Sequence, residues 1–378
     1  MSYLFSSEAV SEGHPDKLCD QISDAILDAY LSVDAEAKVA VEILITKGNL
    51  VIAGEVTSKI RVDESAIARK ILHDIGYVDE SLGFDCNKAF YQNFIHSQSP
   101  ELTTCVNAGG AGDQGIMFGY AVRESPELMP LPVLIAQRLM IRQQELRKTI
   151  LTNLLPDAKC QVTFRYENDI PVFIEKVVLS TQHKPSFNGP QLKETVIANI
   201  IMPVIKEYIS KDHQPDILVN PAGNFTQGGP GSDTGLTGRK IIVDTYGGCA
   251  PHGRGAFSGK DPSKLDRSGA YAARWIAKQI VLSGLAYRCT VQLSYAIGIK
   301  EPQSVYINTH GSGKIPDNEL TKTLTDLLDL SPYGISERFS LKRPVYLDTA
   351  RNGHFTDQSF PWEQRDELFI ETLRNHFL

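Results

Sequence analysis

Cysteine is scarce in this chain and nothing pairs it. Cys19, Cys86, Cys105, Cys160, Cys249 and Cys289 are the only six among 378 residues, and no CxxC occurs, so neither a disulfide framework nor structural zinc is expected. Nowhere do 18 apolar residues run together, and the N-terminus, MSYLFSSEAVSEGHPDK, has neither a basic n-region nor an apolar h-region. No membrane span or leader is expected, and the chain reads as cytoplasmic. Excess positive charge is absent too: the formal net charge of −7 argues against nucleic acid or an anionic membrane as the main partner. Neither GxxxxGK[ST] nor a GxGxxG between strand and helix is present, which excludes a P-loop and a Rossmann turn.

What is abundant is glycine in one place. Ten of the 29 glycines fall within the 41 residues from Gly228 to Ser268. Glycines let backbone N–H groups approach a ligand, and Arg239, Lys240, Arg254, Lys260, Lys264 and Arg267 recur among them, a combination that suits a polyphosphate. The interspersed Asp233, Asp244, Asp261 and Asp266 are candidates for Mg²⁺, which bridges phosphate oxygens with only one or two carboxylates.

The same order of elements occurs three times. Residues 39–45 and 50–58 read as a hairpin followed by a helix over 63–75; residues 161–166 and 172–181 as a second, with a helix over 190–209; residues 290–299 and 304–309 as a third, with a helix over 317–328. The expected fold is α+β: three similar units of small mixed or antiparallel sheets, with helices on one face and the other face packing together or against another subunit. Residues 96–112 have no periodicity and read as a mobile loop.

Two acidic patterns stand out. Pro15 is placed to open a helix whose Leu18, Ile22, Ala25, Ile26 and Ala29 form a core stripe, with Asp16, Asp20, Asp24 and Asp28 at i, i+4. Asp24 and Asp28 read as a solvated face, whereas His14 and Asp16 lie at the helix N-terminus, where phosphate and Mg²⁺ are attracted. Glu42 and Glu55 are each the lone charge in an apolar strand. A two-residue Gly48-Asn49 turn would set them opposite one another, about 5 Å apart at Cβ, and call for a compensating cation: a monovalent metal or a substrate ammonium group.

The longer motifs are specific. SEGHPDK at 11–17, GAGDQG at 110–115, MFGYA at 117–121, PDAK at 156–159, VLSTQH at 178–183, GLTGRKIIVDTYGG at 235–248, GAFSGKDPSK at 255–264, AYAAR at 270–274 and SYAIG at 294–298 together resemble the S-adenosylmethionine synthetases over nearly the whole chain. The resemblance implies three α/β domains in a pseudo-threefold arrangement: 1–97, then a gating loop at 98–109, then 110–228 and 229–378, with elements interleaving. It implies a methionine adenosyltransferase that joins ATP and L-methionine and releases tripolyphosphate for hydrolysis. Two Mg²⁺ and a K⁺ would serve each site, in a homodimer at minimum and a homotetramer by common pattern.

By the same resemblance, His14, Lys159, Arg239, Lys240 and Lys260 surround the triphosphate. Asp16 and Asp266 hold Mg²⁺ and Glu42 holds K⁺. Glu55, Gln98, Asp233 and Lys264 contact methionine, with Asp233 also near the nucleotide, and Asp113, Asp157, Phe225 and Ala256 lie on the adenosine side. The chain departs from the pattern in a shorter segment between Gln98 and GAGDQG, in Asn224 for the usual Arg, in Ser232 before Asp233, and in Arg254 for the usual Gly, where the new guanidinium is expected to stand in for the one missing at 224. An ATP-dependent phosphotransferase or tripolyphosphatase, and a non-catalytic nucleotide-binding subunit, remain the alternatives.

Overall fold

In the computed structural model, residues 1–99 and 109–378 are described. The strands in chain order are β1 (Ser2–Val10), β2 (Lys38–Thr46), β3 (Asn49–Thr57), β4 (Val78–Asp79), β5 (Phe84–Asp85), β6 (Phe90–His96), β7 (Gly115–Val122), β8 (Leu154–Glu167), β9 (Ile170–His183), β10 (Asp216–Val219), β11 (Gly235–Leu236), β12 (Arg288–Tyr295) and β13 (Ser304–Asn308). The main helices are α1 (Pro15–Val33), α2 (Glu64–Ile75), α3 (Leu131–Thr149), α4 (Gly189–Val196), α5 (Leu265–Ser283) and α6 (Asp317–Leu327). None among the described residues is long and apolar enough to cross a membrane.

Three sheets, ordered β11-β2-β3-β6, β1-β8-β9-β10 and β13-β12-β7, carry the α+β organisation. Each is built on one hairpin, and in each the hairpin's first strand also pairs, antiparallel, with a strand from elsewhere in the chain: β11 on β2, β1 on β8, β7 on β12. The sheets are therefore stitched together by exchanged strands. In the first two, a helix leads to a strand lying parallel to the hairpin's second strand, β6 on β3 and β10 on β9.

Alternation decides which face is buried. Val39, Val41, Ile43 and Ile45 of β2 turn toward Leu18, Cys19, Ile22 and Ile26 of α1, all buried, while Ala40, Glu42 and Leu44 look outward. The outer faces stay apolar in places: Phe90 and Phe94 are 62% and 61% exposed, and Ile116 and Tyr306 on the third sheet are also exposed. Large exposed apolar residues on a sheet face are a feature of surfaces that meet a partner when they form a contiguous patch.

The helix expected over 190–209 is present but irregular. It is α-helical to Val196, widens over Ile197–Ile201 and tightens over Lys206–Tyr208. Pro203 has no N–H for the carbonyl of Asn199, which accepts from Arg142 instead.

The hairpin register differs from the expected one. Thr46 faces Asn49, so Lys47-Gly48 is the turn, with Gly48 at φ 68°. Glu42 therefore lies opposite Ala53 and Glu55 opposite Ala40. The two carboxylates share a face as diagonal neighbours but are not directly paired. The left-handed conformation belongs to the second loop residue, which moves the register by two and leaves the face unchanged.

The acidic face of α1 is not solvated. Asp24 is fully buried and Asp28 partly so, and all four aspartates accept backbone N–H groups. Leu236 donates to Asp16 at 3.0 Å, Gly238 to Asp20 at 2.8 Å, Gly259 to Asp24 at 2.8 Å, and Tyr346 and Leu347 to Asp28 at 3.0 and 2.9 Å. The i, i+4 spacing is a ladder that pins the glycine-rich segment along the helix. Arg267 closes it with a fork onto Asp24 at 2.6 and 2.8 Å, and Lys17 bridges Asp20 and Asp244 at 3.2 and 2.6 Å. Asp244 is thereby a buried structural group, not a metal candidate. The five described cysteines are free thiols; Cys105 and most of the expected gating loop lie outside the described residues.

Candidate active site

The site residues fall into two groups. The first surrounds the N-terminus of α1. His14 caps that helix, its Nδ1 accepting the N–H of Asp16 at 3.2 Å. Pro15 at the first helical position fixes the entry. Burial, reinforced by the Lys240 and Lys159 charges and opposed by Asp16 and Asp233, lowers the pKa of His14 to about 4. The imidazole is neutral at pH 7, and since Nδ1 is an acceptor the proton sits on Nε2. The 3.9 Å approach of Asp16 Oδ2 to Nδ1 is accordingly no ion pair.

Asp16 receives Lys240 Nζ at 2.5 Å and lies 3.8 Å from Arg239 Nε. Burial pushes its carboxyl up, but Lys240 and the Leu236 N–H bring it below the usual range. Asp157, on β8 with the exposed Lys159, accepts the N–H of Gly229 at 2.8 Å; burial raises its pKa to about 6, with Asp233 adding to the rise and Lys159 opposing it. Phe225 is tied by its N–H to His183 Nε2 at 3.0 Å and packs beside Gly228, where a Cβ would come within 3.0 Å of its ring. Asp16, Asp157, Asp233, Lys159, Arg239 and Lys240, three carboxylates and three cations, thus form one cluster around a neutral His14.

The second group lines a cavity of about 430 Å³ that contains Glu55, Gln98, Asp113, Lys260, Lys264 and Asp266, together with Ala40, His96 and Met117. That is the size of a small-molecule site. Lys260 holds Asp266 at 2.6 Å, and Asp261 holds Lys264 at 2.5 Å while also accepting the Val39 N–H at 2.6 Å. Asp261 is buried, and despite that burial its lysine neighbours keep its carboxyl below the usual range. It positions Lys264 and is not available to a metal. Glu42 stands exposed two residues beyond Ala40 on the same strand face.

Asp233 belongs to the first group and not to the cavity of Glu55, Gln98 and Lys264. Ala256 lies between the groups: a Cβ on Gly238 would be 2.3 Å from its methyl. His96, whose Nε2 is 3.4 Å from Glu55 Oε1, was not singled out from sequence. It reaches Glu55 because β6 runs parallel to β3 and sets the two residues in register, a pairing that hairpin patterns do not reveal.

For metals, the described residues contain no cluster of three or more His, Cys, Asp or Glu suited to an ion. Asp16 and Asp266 are instead single carboxylates, each paired with a lysine. That donor set fits a cation whose remaining ligands are phosphate oxygens and water.

A group of paired cations and carboxylates at a helix N-terminus and a small-molecule cavity, both bordered by the glycine-rich segment, make up the candidate site of this α+β protein. Family comparison covers nearly the whole chain in three parts. Residues 2–100 match the model described as "S-adenosylmethionine synthetase, N-terminal domain", residues 108–225 the central domain and residues 227–364 the C-terminal domain. The chain is 49% identical over 382 residues to the S-adenosylmethionine synthase of Maricaulis maris, covering 97% of each. It is 48% identical over 387 residues to that of Thermus thermophilus, covering 98% of each. The chain belongs to the S-adenosylmethionine synthetase family.

Proposed function

We propose that the protein is a methionine adenosyltransferase, making S-adenosylmethionine from ATP and L-methionine. A sulfur lone pair of methionine forms the S–C5′ bond while the C5′–O5′ bond breaks, its electron pair leaving with tripolyphosphate. Water then splits that product into phosphate and pyrophosphate. The thioether carries no proton on sulfur, so no general base is needed and the work lies in stabilising the leaving group.

The observation that carries this reading is the neutral, oriented His14. Its Nε2–H has no hydrogen-bond partner among the described residues and would donate to the bridging oxygen, with Lys159, Arg239, Lys240 and Lys260 meeting the charge that develops. Glu55 in the second group suits the substrate ammonium, with Gln98 and Lys264 beside it, and Asp113, Asp157, Phe225 and Ala256 are assigned to the nucleoside. Asp16 and Asp266 would hold Mg²⁺ and Glu42 would hold K⁺, cations that neutralise charge on phosphate oxygens when bound. Asp16 would then yield Lys240 to phosphate, as Asp266 would yield Lys260.

The division of the residues into two groups, beside bare apolar sheet faces, favours a site assembled between two copies of the chain. One copy would supply the His14 group and its partner the Glu55 cavity, making a homodimer the minimum unit and a homotetramer of two such dimers the further assembly. Residues 98–109 would gate that site. Purified protein incubated with ATP, methionine, Mg²⁺ and K⁺ is expected to yield S-adenosylmethionine, phosphate and pyrophosphate. ADP as the product would instead identify a phosphotransferase.

A further inference from the structure

We infer that Arg254 is a substrate-binding residue, its guanidinium reaching the polyphosphate of the nucleotide, and that its strained backbone is retained for that contact. Arg254 has φ 72°, the left-handed conformation that a residue with a Cβ adopts at a cost. Most other non-glycine residues with positive φ among those described are Asn, Asp, Ser or His, side chains that tolerate it or bond locally. Leu128 is the other exception, and it is fixed by the core: it is buried, and its carbonyl accepts from Arg274 at 3.0 Å and from the Val122 N–H at 3.2 Å.

Arg254 has no such support. It is exposed, and its one hydrogen bond among the described residues is from its own backbone N–H to His252 Nδ1 at 2.9 Å. The guanidinium makes no hydrogen bond or ion pair there. No contact of its own side chain holds the strained conformation, and a strained residue beside a candidate site is a mark of function.

The surroundings identify the ligand. On one side, a Cβ on Gly253 would lie 1.7 Å from the carbonyl oxygen of Ile116; on the other, a Cβ on Gly255 would lie 2.2 Å from the carboxylate of Asp266. Both flanking glycines are required by close approach, and the loop is thereby clamped against the Lys260–Asp266 pair. Two residues on, Ala256 touches Gly238, the neighbour of Arg239. The backbone of Arg254 thus lies in the short segment between the two groups, beside the Lys260–Asp266 pair, and its long exposed side chain starts from there. A free, forked cation placed there matches an anion with several oxygens, and a phosphate chain takes a guanidinium bidentately.

The inference rests on the reading above that the glycine-rich segment holds a triphosphate, and the experiment separates the two. Wild type, Arg254→Gly and Arg254→Lys are compared in binding of tripolyphosphate with Mg²⁺ by calorimetry, in the KM for ATP, in ligand-free Tm and in sedimentation. Arg254→Gly is expected to weaken tripolyphosphate binding and raise the ATP KM roughly ten- to a hundredfold, with Arg254→Lys between it and wild type. Relief of the left-handed strain is expected at the same time to raise its Tm by about 2 °C. Unchanged affinity in Arg254→Gly overturns the inference. So does weaker binding accompanied by a lower Tm, which marks general damage, or an altered oligomeric state at equal affinity, which would put the guanidinium across a subunit contact. Failure of wild type to bind tripolyphosphate refutes the functional reading itself.

Discussion

Replacing His14 by Asn tests the centre of the mechanism with little disturbance of the fold. Asn is among the best N-cap residues, so its side-chain oxygen can take over the Asp16 N–H that Nδ1 now accepts. What it lacks is the reach of an Nε2–H. A donor aimed at charge that develops only in the transition state is worth about 3 to 4 kcal/mol, so kcat should fall roughly 10²- to 10³-fold while tripolyphosphate binding is largely kept. The pH dependence supplies an independent check. The folded pKa of about 4 lies below the unfolded value near 6.5, so the unfolded state takes the proton first as pH falls. The stability associated with neutral His14 is present above about pH 6.5 and is lost toward pH 4, by up to about 3 kcal/mol. Asn cannot titrate, so the Tm of the variant relative to wild type should climb as pH drops from 7 to 5; the opposing contributions of Asp157 and Asp244, whose pKa values are raised, occur in both proteins and cancel. Steady-state kinetics and thermal melts from pH 5 to 8 measure both effects. A variant with kcat within about threefold of wild type would refute the assignment, since a transition-state donor should be worth far more. So would a wild-type kcat profile breaking near pH 6.5 that the variant lacks, since it would make His14 a charged acid.

Three further changes address the other parts of the site. Glu55→Gln is expected to raise the methionine KM about ten- to a hundredfold without altering hydrolysis of added tripolyphosphate; an unchanged methionine KM would remove Glu55 from ammonium binding. Asp24→Asn leaves the buried guanidinium of Arg267 without its anion and should cost about 3 to 5 kcal/mol in denaturant titrations, and a loss under about 1 kcal/mol would mean the pair does not anchor the segment. At methionine concentrations too low for the Glu55→Gln chain, mixed dimers of His14→Asn and Glu55→Gln chains should regain activity, because one of the two sites would then draw both groups from unmutated segments. No recovery in verified mixed dimers would place the whole site within one chain.

The hairpins and the faces of their strands were legible because apolar alternation has a period of two and is insensitive to the offset between strands. The offset itself is set at the turn, and reading Gly48-Asn49 in place of Lys47-Gly48 moved Glu42 two positions along its partner. The ladder of α1 was hidden for a different reason: i, i+4 spacing is the same for a solvated acidic face and for one that receives a second segment. Two signals distinguished them. Leu27, Tyr30 and Leu31 extend the buried arc of α1 beyond its core stripe, leaving little of the helix for solvent, and a glycine-rich segment without regular structure carries N–H groups that need acceptors. Asp16, Asp20 and Asp24 are those acceptors. This bears on chemistry as well as on fold. In a P-loop the backbone N–H groups themselves cradle phosphate, but here the N–H groups of Leu236, Gly238 and Gly259 are committed to the helix. Those three N–H groups are not available to a triphosphate, which under the proposed function would rely the more on the side chains of Lys159, Arg239, Lys240 and Lys260. Lysine and arginine side chains can follow a leaving group as its charge grows and then separates. A site that expels tripolyphosphate whole has more use for such donors than for a fixed backbone cradle.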